Sequence, residues 1–191
     1  MAREQLMRPV RLLLVSGSLR RASTNTALLR TAEVVAPSEI GTDLYSGMGE
    51  LPHFNPDLDQ APLDPAVGHL RTMIHSADAI LFSTPEYAGG LPGSFKNLLD
   101  WTIGDDLPGS IYRKPVAWVN TSAAPTGAAD AHESLRKILG YAHASVIEKA
   151  CTAIPVVRHA VHDGLLTDPN IRSSIIRTLR LLAAAARDDR A

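Results

Sequence analysis

The stretch Ser16-Gly17-Ser18-Leu19-Arg20-Arg21-Ala22-Ser23-Thr24-Asn25-Thr26 crowds hydroxyl, amide and guanidinium donors between an apolar run and a helical pattern. Donors in that position make an anion cradle. A helix N-terminus offers unpaired N–H groups and a partial positive charge of roughly half a unit. Ser18, Ser23, Asn25 and Thr26 can add hydrogen bonds to phosphate oxygens, and Arg20 a charge-assisted one. The Walker pattern needs a Gly-Lys-Ser/Thr that the stretch lacks, and the Rossmann pattern needs three spaced glycines where only Gly17 is present. A loop rich in side-chain donors suits a terminal monophosphate seated inside it. Ordinary N-capping would account for Ser23, Thr24 or Asn25, but not for Ser18 and Arg20 as well.

A second informative stretch runs from Thr84-Pro85-Glu86-Tyr87-Ala88 through Gly89-Gly90-Leu91-Pro92-Gly93 to Lys96-Asn97 and Asp100-Trp101. Pro85 holds Thr84 extended and ends the run before it, while Gly89 and Gly90 permit turns and close approach to a planar ligand. Pro92 is suited to the first position of a following helix. Glu86 reads as a loop-stabilising residue, since a free carboxylate is ionised at neutral pH and is a poor proton donor. Tyr87 either flanks a ligand or packs across its own loop. Lys96, Asn97, Asp100 and Trp101 read as helix and subunit-packing residues.

The elements that must hold these loops follow from periodicity. Short apolar runs at Val10 to Ser16, Ala77 to Thr84, Pro115 to Thr121 and about Lys149 to Val157 suit strands buried on both faces, with Ile40 to Tyr45 a weaker candidate. Between them, Ala27/Leu28/Ala32/Val35, Val67/Leu70/Ile74, Phe95/Leu98/Leu99 and Leu135/Ile138/Leu139/Ala142 repeat at helical spacing. From Asn170 to Arg187 a last stripe of Ile171, Ile175, Leu179, Leu182 and Ala186 leaves Arg172, Arg177 and Arg180 on a solvated face. Alternating strands and helices predict an α/β fold with a doubly wound parallel sheet and helices on both faces. Ligands of such sheets bind beyond the carboxyl ends of the strands, which points to the loops after Ser16, Thr84 and Thr121.

The remaining features bound the answer. The 191 residues, 45% hydrophobic, suit a single domain, with 1–8 and 188–191 as flexible tails. Nineteen basic against 20 acidic residues give a net charge of −1, too even to gather a nucleic-acid backbone. The lone Cys151 forms no internal disulfide and, with no signal-peptide core or membrane-length run, the chain reads as cytoplasmic with no membrane partner. Cys151 suits a small core residue in a buried strand. His159, His162 and Asp163 offer metal-ligand types, but too few for a closed zinc site, so solvated or core histidines are the simpler reading.

Gly17-Ser18-Leu19-Arg20-x-x-Ser23-x-Asn25 followed by Pro85-Glu86-Tyr87-x-x-x-x-Pro92-Gly93-x-x-Lys96-Asn97-x-x-Asp100-Trp101 resembles the NADPH-dependent FMN reductase family, which includes flavodoxin-like quinone, azo-dye and chromate reductases. The likeness extends through the Thr121-Ser122 turn and the Leu135-Arg136-Lys137-Ile138-Leu139 helix. It implies a flavodoxin-like domain holding FMN, with the phosphate in the first loop (Ser16, Ser18, Arg20, Ser23, Asn25, Thr26). The flavin ring would lie against Pro85, Glu86, Tyr87 and Ala88, with a third contact at Ser122. Backbone N–H groups of Glu86, Tyr87 and Ala88 are the implied donors to the ring edge. Two departures stand out: Ala123 replaces a second serine, and Ala88-Gly89-Gly90-Leu91 is less bulky and less polar than the usual segment. The implied reaction passes hydride from NADPH or NADH to flavin N5 and on to a small-molecule acceptor, with no side chain as obligatory acid or base and a homodimer or homotetramer as the assembly. The other reading is a non-enzymatic flavodoxin-like FMN electron carrier or sensor, against which the near-neutral charge weighs.

Overall fold

From Leu12 to Val15 every side chain is apolar, so a strand there needs cover on both faces. In the computed structural model, which describes residues 8–190, this segment is β1 (Val10–Ser16), buried at every position but Arg11. There follow α1 (Thr24–Val35), β2 (Ile40–Tyr45), α2 (Pro65–Ser76), β3 (Ala79–Ser83), α3 (Gly93–Ile103), β4 (Pro115–Asn120) and α4 (Ala129–Tyr141). Short strands β5 (Ser145–Val146) and β6 (Thr152–Ala153), a hairpin of β7 (Val161–His162) and β8 (Leu165–Leu166), and α5 (Pro169–Arg190) complete the order. The sheet runs β2-β1-β3-β4-β5 with β6 also on β4, all parallel. This is the flavodoxin-like winding, which reverses between β1 and β3.

Two-residue alternation along the strands feeds two cores. Leu13, Val15, Ile80 and Phe82 face α2, α3 and α4 through Leu70, Phe95, Trp101 and Leu135. Leu12, Leu14, Leu81 and Val119 face α1 and α5 through Leu28, Leu29, Leu179 and Leu182. The predicted stripe of α5 is buried at Ile175, Leu179, Leu182 and Ala186 and exposed at Arg177 and Arg180.

Three sequence expectations are corrected. The run from Lys149 to Val157 is not one strand. The fifth place beside β4 is filled in two pieces, because a 3₁₀ turn at Glu148–Ala150 lifts the chain away between β5 and β6. Extended pairing then resumes: Ile154 N–H donates to Asn120 O (2.8 Å) and Val156 N–H to Thr121 O (3.0 Å), with Pro155 at the intervening position that needs no donor. Cys151 therefore closes the 3₁₀ turn, half-buried, rather than lying in a strand. Finally, α5 continues to Arg190 where a tail was expected, and Arg8 pairs with Asp78 at 2.8 Å. The rest of the two expected tails, residues 1–7 and 191, lies outside the described residues.

Asn97 and Trp101 are spent within the chain. Asn97 Nδ2 and Trp101 Nε1 both donate to Pro52 O at 2.9 Å, and Asn97 Oδ1 accepts from Phe54 N–H at 2.7 Å. They pin the β2–α2 connection onto α3, with Phe54 edge-on to Trp101. No helix among the described residues is long and apolar enough to cross a membrane.

Candidate functional site

The loops after β1, β3 and β4 meet at the carboxyl edge of the sheet around a cavity of about 490 Å³. The first loop turns at Gly17, whose N–H donates to Ser83 O (2.8 Å). A β-carbon there would collide with the Thr84 side chain and come within 2.9 Å of Phe95, so only glycine lets the loop lie on the end of β3. Ser23 then caps α1, its hydroxyl accepting from Thr26 N–H at 3.3 Å. Thr24 and Asn25, in the first turn, have no acceptor for their N–H groups within the helix.

Asn25 is the keystone of the cavity floor. Its buried amide oxygen lies 2.8 Å from Ser83 Oγ and 2.9 Å from Thr121 Oγ1, tying the first loop to the ends of β3 and β4. Thr24 Oγ1 lies 3.3 Å from the same Thr121 hydroxyl. With its oxygen occupied, Asn25 has its Nδ2 donors left for a ligand.

On the opposite wall, Tyr87 and Gly90 exchange both backbone hydrogen bonds (3.0 and 3.1 Å) across Ala88 (φ 50°) and Gly89 (φ 72°). Two left-handed central residues make a type I′-like turn. The Tyr87 N–H is therefore used inside its own loop, which removes it from the expected ring-edge donors and leaves those of Glu86 and Ala88. Glu86 Oε2 accepts from Ala131 N–H at 3.1 Å in the first turn of α4. That helix has no cap of its own, starting from Ala128 at φ 54°, so Glu86 supplies one from another loop. His132 Nδ1 lies 2.7 Å from Ala128 O; since a carbonyl only accepts, Nδ1 carries the proton. Its buried Nε2 has no partner, and burial pushes the imidazole pKa down. Asn120 shapes the third loop from both ends of its amide, accepting from Ser122 N–H (2.9 Å) and donating to Gly127 O.

Of the expected site residues, Ser18, Arg20, Ser23, Asn25, Pro85, Glu86, Tyr87 and Ser122 line the cavity. Three do not. Ser16 Oγ and Thr26 Oγ1 bond each other at 2.8 Å, bracing the loop from below, and Ala88 sits in the turn away from the wall. Reasoning from sequence missed Thr121, whose hydroxyl meets Asn25 only through the fold, and Val156 to Arg158, which close the wall beyond β6. No motif marked that last segment. Thr24 stood in the quoted loop and was weighed only as a cap. Cys151, half-buried at the end of the 3₁₀ turn, has its thiol pushed up to about 11 by burial, which disfavours the thiolate.

The donor set fits a flavin mononucleotide. The helix N–H groups, the Asn25 amide and Arg20 supply donors for a phosphate, and Pro85 to Tyr87 and Thr121 to Ala123 border the same cavity with mixed polar and apolar wall suited to a ring. Arg20, Arg158 and Glu86 are the charged residues lining it, and Glu86 is engaged with α4. Fold and site together define a flavodoxin-like flavoprotein.

The model of NADPH-dependent FMN reductases matches residues 10–158, and the chain belongs to that family. Over 175 residues it is 34% identical to an NAD(P)H-dependent FMN reductase of Pseudomonas aeruginosa, covering 91% of this chain and 93% of that one. A quinone reductase of Escherichia coli is 33% identical over 135 residues, 70% of this chain and 71% of that one. Among solved structures, the flavoenzyme NAD(P)H:acceptor oxidoreductase FerB of Paracoccus denitrificans superposes with a TM-score of 0.77 at 28% identity, covering 91% and 97% of the two chains. The chain is an FMN-dependent NAD(P)H oxidoreductase.

Proposed function

We propose that this enzyme seats the FMN phosphate on the first turn of α1 and passes electrons from NAD(P)H to a small quinone or flavin. The observation that carries the assignment is the convergence of three loops on one cavity whose phosphate-competent end is α1 with its Thr24 and Asn25 N–H groups unused. In this reading those N–H groups, the Asn25 amide and the Ser18 and Arg20 side chains hold the phosphate. Pro85 to Tyr87 and Ser122 hold the ring, with the Glu86 N–H group as donor to its edge. Ser16 and Thr26 act from beneath, by bracing the loop.

When bound, the flavin supplies a centre that accepts two electrons from one substrate and yields them to the next. The chain's part is to bind and orient. Glu86, committed to the Ala131 N–H, acts by fixing the rim rather than by moving a proton. Neutral His132 fixes Ala128, which lines the cavity. Relatives named quinone reductases and FMN reductases support small planar acceptors, and exposed Tyr87 at the rim offers a surface on which such a ring can lie. We place the enzyme in the cytoplasm, as a homodimer or homotetramer; sedimentation of the purified protein checks the assembly.

The deciding experiment mixes FMN-loaded protein with NADPH, then NADH, without oxygen, and follows the flavin absorbance, then adds a benzoquinone. Rapid bleaching followed by return of colour supports the proposal. Persistent yellow with both nicotinamides would overturn it in favour of an electron carrier. In parallel, replacing Ser18 and Arg20 together by Ala should weaken FMN binding by a few kcal/mol, at roughly 1.5–3 kcal/mol per charge-assisted bond and less where solvent screens it.

A further inference from the structure

A second cavity, of about 320 Å³, adjoins the first and shares Ala22 and Ser23 with it. Its walls are Arg21, the α1 residues Thr26, Ala27 and Arg30, and the turn of the β7–β8 hairpin at Val161, Asp163 and Gly164. The hairpin is fixed to α1. Thr31, fully buried, receives Leu166 N–H on its hydroxyl at 2.9 Å and donates to Ala27 O at 2.7 Å, while Arg172 Nε donates to Leu166 O at 2.9 Å. Its turn has two left-handed residues in succession, Asp163 (φ 49°) and Gly164 (φ 77°). A β-carbon on Gly164 would stand 3.4 Å from Arg30 Nη1, so the guanidinium lies close over the turn.

The charges of this cavity are unbalanced. Among the described residues, neither Arg21 nor Arg30 closes a salt bridge. Arg30 acts on Glu33 of its own helix only through space, and Asp163 is the one carboxylate in the wall. The neighbouring cavity already has Arg20, Arg158 and a helix N-terminus for a single phosphate. Arg20 and Arg158 in the first cavity and Arg21 and Arg30 in the second, on a chain of net charge −1, exceed what one phosphomonoester needs. Val161, Ala22 and Ala27 add apolar wall to the guanidinium and hydroxyl donors. A phosphorylated nucleoside matches that mixture better than a bare anion does.

Resting on the seating of FMN in the first cavity, we infer that this second cavity takes the phosphate-bearing adenosine half of a dinucleotide, gripped by Arg21 and Arg30. Two ligands carry such a half: flavin adenine dinucleotide, as an alternative to FMN, and NADPH with its 2′-phosphate. The test compares the flavin-free full chain with an Arg21→Ala, Arg30→Ala double variant by flavin-fluorescence titration with FMN and with FAD, and by KM for NADPH and NADH after FMN loading. Both arginines are exposed, and an unchanged FMN titration certifies that the variant is folded. A loss of about tenfold in FAD affinity with FMN unchanged assigns the cavity to the flavin dinucleotide. A similar rise in the NADPH KM with NADH unmoved assigns it to the 2′-phosphate, and both changes together show one site serving both. No change in FAD or NADPH binding, or an equal fall in FMN affinity, overturns the inference. Failure of the wild-type chain to bind FMN would instead sink the first-cavity reading, and the second site with it.

Discussion

Single atoms decide how the first loop and the rim are set. At Gly17 a methyl group has nowhere to go, because the Thr84 side chain and Phe95 occupy the space. Gly17→Ala should push the loop off the end of β3, costing about 1–3 kcal/mol of stability and at least tenfold in FMN affinity, read by urea unfolding and fluorescence titration. A variant that binds FMN as tightly as wild type would show that the loop's seat on β3 does not shape the phosphate site. Ala88 is the opposite case, an L-residue at φ 50° in a turn that favours glycine or asparagine. Replacing it by Asn should remove about 1 kcal/mol of strain and raise the melting temperature by roughly 2–4 °C. The donor types of the phosphate loop were legible in the sequence. The use made of Asn25 was not: its oxygen partners Ser83 and Thr121 stand 58 and 96 residues away, so its amide can be oriented only once the sheet exists.

At the scale of elements, α4 begins poorly and is rescued from outside. Ala128 cannot cap, and the missing acceptor arrives from Glu86, across the cavity's rim. Glu86→Ala should therefore cost about 1 kcal/mol, as loss of a cap does, and should weaken FMN binding through the rim, whereas Glu86→Gln, which keeps an acceptor oxygen, should recover most of both. Equal losses in the two variants would mean that charge, not the cap, matters. His132, in the same turn, predicts a pH dependence. Its folded pKa lies below the ordinary 6.5, so the unfolded chain takes up a proton first as the pH falls. The stability it contributes is complete above about pH 6.5 and drains away as pH falls toward the lower folded value. Urea midpoints between pH 7.5 and 5 should fall more steeply for wild type than for His132→Gln, and parallel slopes would refute the buried neutral imidazole. Val10–Ser16, with its apolar Leu12 to Val15, and the weaker, mixed run Ile40–Tyr45 both hold to the residue as strands. The fifth failed because its apolar residues begin inside a 3₁₀ turn, closed by Ala150 N–H on Ile147 O and Cys151 N–H on Glu148 O, which periodicity cannot register.

For the whole molecule, the parallel sheet places the carboxyl ends of β1, β3 and β4 side by side, and the loops that leave them are held mainly to one another. Gly17 is bonded to Ser83, Asn25 to Ser83 and Thr121, and Glu86 to Ala131. A ligand bridging these loops binds the folded chain and not the unfolded one, so its binding free energy adds to stability. At a hundredfold excess over its dissociation constant the gain is about 2.7 kcal/mol, which for a chain of this size corresponds to a rise of roughly 5–10 °C in melting temperature. Riboflavin offers the same ring without the phosphate. If α1 and Arg20 hold the phosphate while Pro85 to Tyr87 and Ser122 hold the ring, riboflavin at the same concentration should give only a small part of the shift. In the Ser18→Ala, Arg20→Ala variant the FMN shift should shrink toward that of riboflavin, while the riboflavin shift itself stays put. Equal shifts for the two ligands in the wild-type chain would show that the ring alone is recognised, and would remove α1 from the site.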